Sequence, residues 1–107
     1  MTTYSDIDDI KALIGFTLDE NSRPTLLNAA KIQGQAYRLI NGYIGKARTP
    51  DDNLKAVETD LVVAAILAIH NKKAYPMRLT EEHMVILDDY MDEEELVSSE
   101  DIYYGYD

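Results

Sequence analysis

The sequence predicts an all-α protein: a compact bundle of about four helices, one short, two long and one C-terminal, followed by an acidic C-terminal tail. Three observations lead there. Apolar residues recur at helical spacing through most of the chain, and caps and breakers divide it into four segments. The third segment contains Leu61 to Ile69, LVVAAILAI, nine apolar residues in a row. A surface helix needs only an apolar stripe, whereas one that is apolar all round must be covered all round. At about 100° per residue, Val62 and Ile66 point one way and Val63 and Leu67 about 100° around the axis from them. The run is about half the length a membrane span requires, and Asp60 and His70 flank it directly. It reads as a helix surrounded by protein.

The first helix is expected over Asp6–Ile14. Ser5 can cap it and Asp8 can reach back; Ile7, Ile10, Leu13 and Ile14 keep helical spacing, and Gly15 suits the C′ position. The second should start near Asn21 or Ser22, with Pro24 in its first turn, and close at Gly45. Its apolar positions include Leu26, Ala29, Ala36, Ile40 and Ile44, with Lys31, Gln35 and Arg38 on the opposite face. Thr49 as cap, Pro50 at N1 and the carboxylates of Asp51 and Asp52 announce the third helix, which runs to about Ala74 before Tyr75-Pro76. Thr80 caps the fourth, with Leu79 placed to staple against Met84 and a stripe of Met84, Leu87 and Met91.

Domain organisation follows the charge. A chain of 107 residues fits one domain. Residues 1–80 hold ten Lys/Arg against nine Asp/Glu, whereas residues 81–107 hold eleven Asp/Glu and no cation. We expect a helical domain over 1–93 and a tail over 94–107 that is disordered until bound. The body is too neutral for general nucleic-acid affinity, which needs clustered Lys/Arg. The acidic segment solvates the protein, repels DNA or binds a basic partner.

Chemistry is sparse. Absent cysteine removes disulfides, thiol catalysis and zinc-thiolate sites. No basic, apolar leader opens the sequence, and an intracellular origin is expected. HEXXH, GxGxxG, P-loop and GxSxG patterns are missing, so no catalytic residue, metal or cofactor is expected. His70 reads as a helix-end or interface residue. His83 follows Glu82, but adjacent helical residues do not face each other. Tyrosine is over-used, with eight against one Phe and no Trp. Tyr103, Tyr104 and Tyr106 lie in the acidic tail, where aromatics suit a partner's groove. Ile102, Tyr103 and Tyr104 could add a strand to a partner's sheet edge. An over-apolar central helix also suits subunits packing side by side, with Val62, Val63, Ile66, Leu67 and His70 as candidate interface residues.

The order Tyr4-Ser5, Asp9-Ile10-Lys11, Leu13 and Gly15, then a helix with Ala29, Ala30 and Ala36 closing on Tyr43-Ile44-Gly45, then Ala56-Val57 opening an aliphatic helix, resembles the head–tail connector proteins of tailed bacteriophages. These adaptor or head-completion proteins begin with a similar Y-S/T-x-x-D-hydrophobic-K-x-x-L-G segment. The resemblance spans about residues 4–75. It implies a non-enzymatic virion subunit, assembled in the host cytoplasm and able to stay monomeric in solution until the portal templates it, that forms a ring, typically twelve-fold, beneath the portal. Such a ring extends the DNA channel without binding DNA specifically, and it meets the next neck or tail-completion protein. It further implies that Ile102 to Tyr106 would reach the portal. The long acidic tail and the short Lys46–Thr49 turn depart from the family pattern. An alternative of a different class is a small acidic DNA mimic that occupies a host nucleic-acid-binding protein. A mimic should spread carboxylates over its folded body, and here the body is neutral.

Overall fold

The computed structural model describes residues 2–91. It holds α1 (Ile7–Ile14), α2 (Leu26–Ile44), α3 (Asp52–His70) and α4 (Glu81–Asp88), with no strand among the described residues. Helix α3 is the hub: α1, α2 and α4 all pack on it, and α4 also touches α2. Ile102, Tyr103, Tyr104 and Tyr106, and the 94–107 tail as a whole, lie outside the described residues.

The caps were partly misplaced by sequence reasoning, and each shift has a local cause. Helix α1 is capped by Asp6, whose carboxylate accepts from the Asp8 N–H at 2.8 Å, because the Ser5 hydroxyl is engaged elsewhere. Helix α2 starts later than its composition suggests, with Thr25 as cap. Residues 19–25 form a separate turn, in which Asp19 accepts from Asn21 N–H and the Ser22 hydroxyl donates to Pro24 O. Pro24, joined to Arg23 by a cis peptide, therefore precedes the helix instead of opening it. Helix α3 is capped by Asp51, not Thr49; its carboxylate accepts from Leu54 N–H at 2.9 Å. It also stops short of Ala74. The Asn71 side chain bonds Leu67 O, and Lys72 turns left-handed with φ 61°.

Gly15 (φ 78°) and Gly45 (φ 95°) end α1 and α2 in the left-handed region that glycine adopts at no steric cost. Thr80 caps α4 as expected, but the helix ends at Asp88, before Met91.

The core follows two stripes. Helix α2 presents Ala29, Ile32, Ala36, Ile40 and Ile44; α3 presents Leu54, Val57, Leu61, Val62, Ala65 and Ile66, all buried. Ile10 and Ile14 from α1 and Leu87 from α4 close the sides, with Tyr4 and Leu18 at the edges. The apolar run of α3 is thus buried along one stripe, while Val63, Leu67 and Ile69 on its other side are only half-covered.

Leu61 is 1 % exposed and Leu13 60 %. Leu61→Ala should lower the unfolding free energy in urea by about 2–5 kcal/mol, through lost burial and the cavity left behind. Leu13→Ala should stay within about 0.5 kcal/mol.

Candidate functional site

The most elaborate polar arrangement surrounds Glu58, which has no exposed surface. It occupies a position on the buried stripe of α3, one turn after Leu54 and one turn before Val62. A bare carboxylate there would be costly. Its partners come from the N-terminal segment. The N–H of Tyr4 donates to Oε1 at 3.2 Å and the N–H of Ser5 to Oε2 at 2.6 Å, and the Ser5 hydroxyl donates to Oε2 as well. Gln33 of α2 completes the cluster, its amide donating to Ser5 O at 3.2 Å and Ser5 Oγ at 3.0 Å. Burial pushes the Glu58 carboxyl above its ordinary value, and the donors from Ser5 and Tyr4 only partly offset this. Ser5 is buried and its hydroxyl is engaged by Glu58, while Lys55, which lines the same depression as Ser5 and Gln33, is paired with Asp9. The arrangement fastens the N-terminal segment to α2 and α3.

The same segment is tied at a second level. Tyr4 lays its ring against Tyr37 with centroids 4.8 Å apart. Its hydroxyl donates to Asn41 Oδ1 and accepts from Arg48 N–H at 2.9 Å. Two more tyrosines work at this end: Tyr43 donates to Asp88 and Tyr90 to Asp51, each at 2.6 Å. Arg48 donates from its guanidinium to Tyr90 O. The leading cause of a lowered Asp51 carboxyl is the Leu54 N–H, followed by the Tyr90 hydroxyl.

Of the candidate interface residues, the structure divides the set. Val62 and Ile66 have no exposed surface in the single chain, so they belong to its core and offer nothing to a neighbour, which corrects their place in that set. The cause is the helical period: both share the Leu54–Glu58 stripe that faces α1 and α2. Val63 and Leu67 face outward and are half-covered. With Asp60, Ala64, Tyr75, Thr80, Glu82 and His83 they line a groove of about 480 Å³ between α3 and the start of α4. His70 is exposed, but it is not free. Its ring stacks on Phe16 at 3.8 Å and 12°, and Nδ1 lies 3.0 Å from Arg23 O.

His83 acquires a carboxylate partner from another helix. Nδ1 accepts from the Thr80 N–H at 3.2 Å, closing a capping box with histidine at N3. With Nδ1 accepting, the ring proton sits on Nε2, which points at Asp60 Oδ2 at 3.3 Å. This pair joins α4 to α3 and lies open to solvent on the Asp60 side.

Among the described residues, no group of three His, Asp or Glu side chains could hold a metal, and no helix is long and apolar enough to cross a membrane. Sequence reasoning missed Glu58. The signal was present, since Glu58 interrupts the stripe Leu54–Val57–Leu61–Val62, and a carboxylate at a stripe position must find donors. Against known protein families, curated proteins and solved structures, the chain matches none.

Glu58→Gln should destabilise the fold by about 1–3 kcal/mol, because an amide sets an N–H against the donors of Ser5 or Tyr4. Linkage adds a pH signature. The folded carboxyl is raised above its ordinary 4.5, so Glu58 contributes stability below that value and loses it as pH rises through the folded value. Urea midpoints measured from acid to neutral pH should show this fall in the wild type and its absence in the variant.

Proposed function

We propose that the chain is a structural head–tail connector subunit of a tailed bacteriophage, forming a ring under the portal that carries the DNA channel from head to neck. The observation that carries this reading is the half-covered flank of α3. Val63 and Leu67, with Tyr75 alongside, leave apolar surface beside the hub helix, where a neighbouring subunit would complete the packing. Four residues of the family pattern, Tyr4, Ser5, Gly15 and Gly45, also support it, because they sit at joints. Tyr4 and Ser5 fasten to Glu58, while Gly15 and Gly45 end their helices left-handed.

In this reading the subunit performs no chemistry. Its partners are other copies of itself, the portal, and the next neck or tail-completion protein. Ile102, Tyr103, Tyr104 and Tyr106 would provide the portal contact. Particle location follows from the proposal: the virion neck. DNA passes through without sequence readout.

Mixing the full chain with the portal of its own phage and imaging by negative-stain electron microscopy should reveal an added ring beneath the portal. Portal particles with no additional density would overturn the reading. The double change Tyr103→Ser/Tyr104→Ser should leave thermal unfolding unaltered and weaken co-sedimentation with the portal by roughly tenfold or more, the usual scale for losing an aromatic anchor.

A further inference from the structure

The cations of the body are not evenly placed. Arg23, Lys31, Arg38, Lys72, Lys73 and Arg78 are exposed, and none forms an ion pair with a described carboxylate. Arg23, Lys31 and Arg38 line depressions along α2, and Lys72, Lys73 and Arg78 lie within four residues in sequence of the lining residues Ile69 and Met77. Two adjoining depressions lie there and share Gln35. One is lined by Arg38, Leu39 and Met77; the other, of about 480 Å³, by Arg23, Lys31, Ile32 and Ile69 among others. Lys72 and Lys73 bond back to the last turn of α3, at Ile69 O and Ala68 O, and Arg78 follows Met77. No acidic residue lines either depression. The result is a groove with an apolar floor and a cationic rim.

We propose that this groove is the docking site for the chain's own C-terminal segment, residues 92–107, bound within the same molecule. Two observations select that occupant. The first is charge: the segment carries seven carboxylates and no Lys or Arg, interleaved with Leu96, Val97, Ile102, Tyr103, Tyr104 and Tyr106. An apolar floor suits such a peptide better than it suits a phosphate backbone, which offers only charge and sugar. The second is reach. Asp88 is held by Tyr43 near the end of α2, so the chain leaves the body there. Arg38 and Lys31 lie five and twelve residues back along α2, which is ~8 Å and ~18 Å at about 1.5 Å per residue. Eleven extended residues from Met91 to Ile102 span at most ~36 Å, enough to lay the carboxylates on the rim and the tyrosines on the floor. Tethering raises the local concentration to the millimolar range. The inference does not rest on the connector reading, though it sets a condition on it, since a portal using these tyrosines would have to displace them.

The test uses a zero-length carbodiimide on the full chain, which joins carboxylates to lysine amines in contact. Links from residues 92–107 should concentrate on Lys31, Lys72 and Lys73 and vanish at about 0.5 M salt, where screening shortens to a few ångströms. A segment with no docking site would instead favour Lys46 and Lys55, which lie within four residues in sequence of Arg48 and Asp51, the partners of Tyr90, and that pattern would overturn the proposal. Links between differently isotope-labelled copies in a mixed sample would overturn it in favour of a second molecule. Loss of the links on adding a random-sequence DNA duplex at physiological salt would mark the groove as a nucleic-acid site and overturn it as well. The exposed double change Lys31→Gln/Arg38→Gln should cut the Lys72 and Lys73 links several-fold; an unchanged yield would count against the groove.

Discussion

A buried carboxylate constrains the arrangement of the whole domain. Glu58 sits where an aliphatic residue would be expected, in the middle of the hub helix, and it cannot remain there without donors. The donors it takes are the backbone N–H groups of Tyr4 and Ser5, more than fifty residues away, and the Ser5 hydroxyl. That choice brings the N-terminal segment across α3 and fixes where α1 begins. It also orients Ser5 to receive the Gln33 amide, so α2 joins the same cluster. Replacing such a group by a well-packed hydrophobe is often tolerated, whereas removing one partner is not. The cluster ties three elements together, the N-terminal segment, α2 and α3.

Around this pin, α3 is covered unequally. One stripe faces α1, α2 and α4 and is fully buried, while the Val63–Leu67 flank is not. Small residues on α2, Ala29 and Ala36, are fully buried within its stripe. Tyrosine hydroxyls then close one end of the bundle, where Tyr4, Tyr43 and Tyr90 each reach a residue from a different element. The surplus of tyrosine over phenylalanine has a physical use here, because each ring packs while its hydroxyl bonds.

Helix number, order and the buried stripes were legible because periodicity over many residues averages out local exceptions. Gly15, Gly45 and Thr80 were legible because each performs its turn chemistry alone. The cap positions were less so. Ser5, Thr49 and Pro24 carry the right side chains for helix starts, yet Ser5 is claimed by Glu58, Asp51 caps in place of Thr49, and Pro24 belongs to the preceding turn. Competition for a side chain across the fold cannot be seen in a local window. The same limit hid the His83–Asp60 pair, whose members lie on different helices. Val62 and Ile66 could have been separated from Val63 and Leu67 by following the Leu54–Glu58 stripe forward at four-residue steps, since the neighbouring positions are turned about 100° away from it.

The long span between Ser5 and Glu58 also has a kinetic side. Helices α2 and α3 are joined by residues 45–51, whereas the Ser5–Glu58 contact closes a separation of 53 residues. Loop-closure entropy grows as the logarithm of length, so closing the longer loop first would cost about 2 kcal/mol more. Our hypothesis is that the α2–α3 pair forms the folding nucleus and that the N-terminal segment docks after the barrier. A φ-value near zero for Ser5→Ala, beside substantial values along the α2–α3 seam, is the signature of that order, and a high value at Ser5 would reverse it.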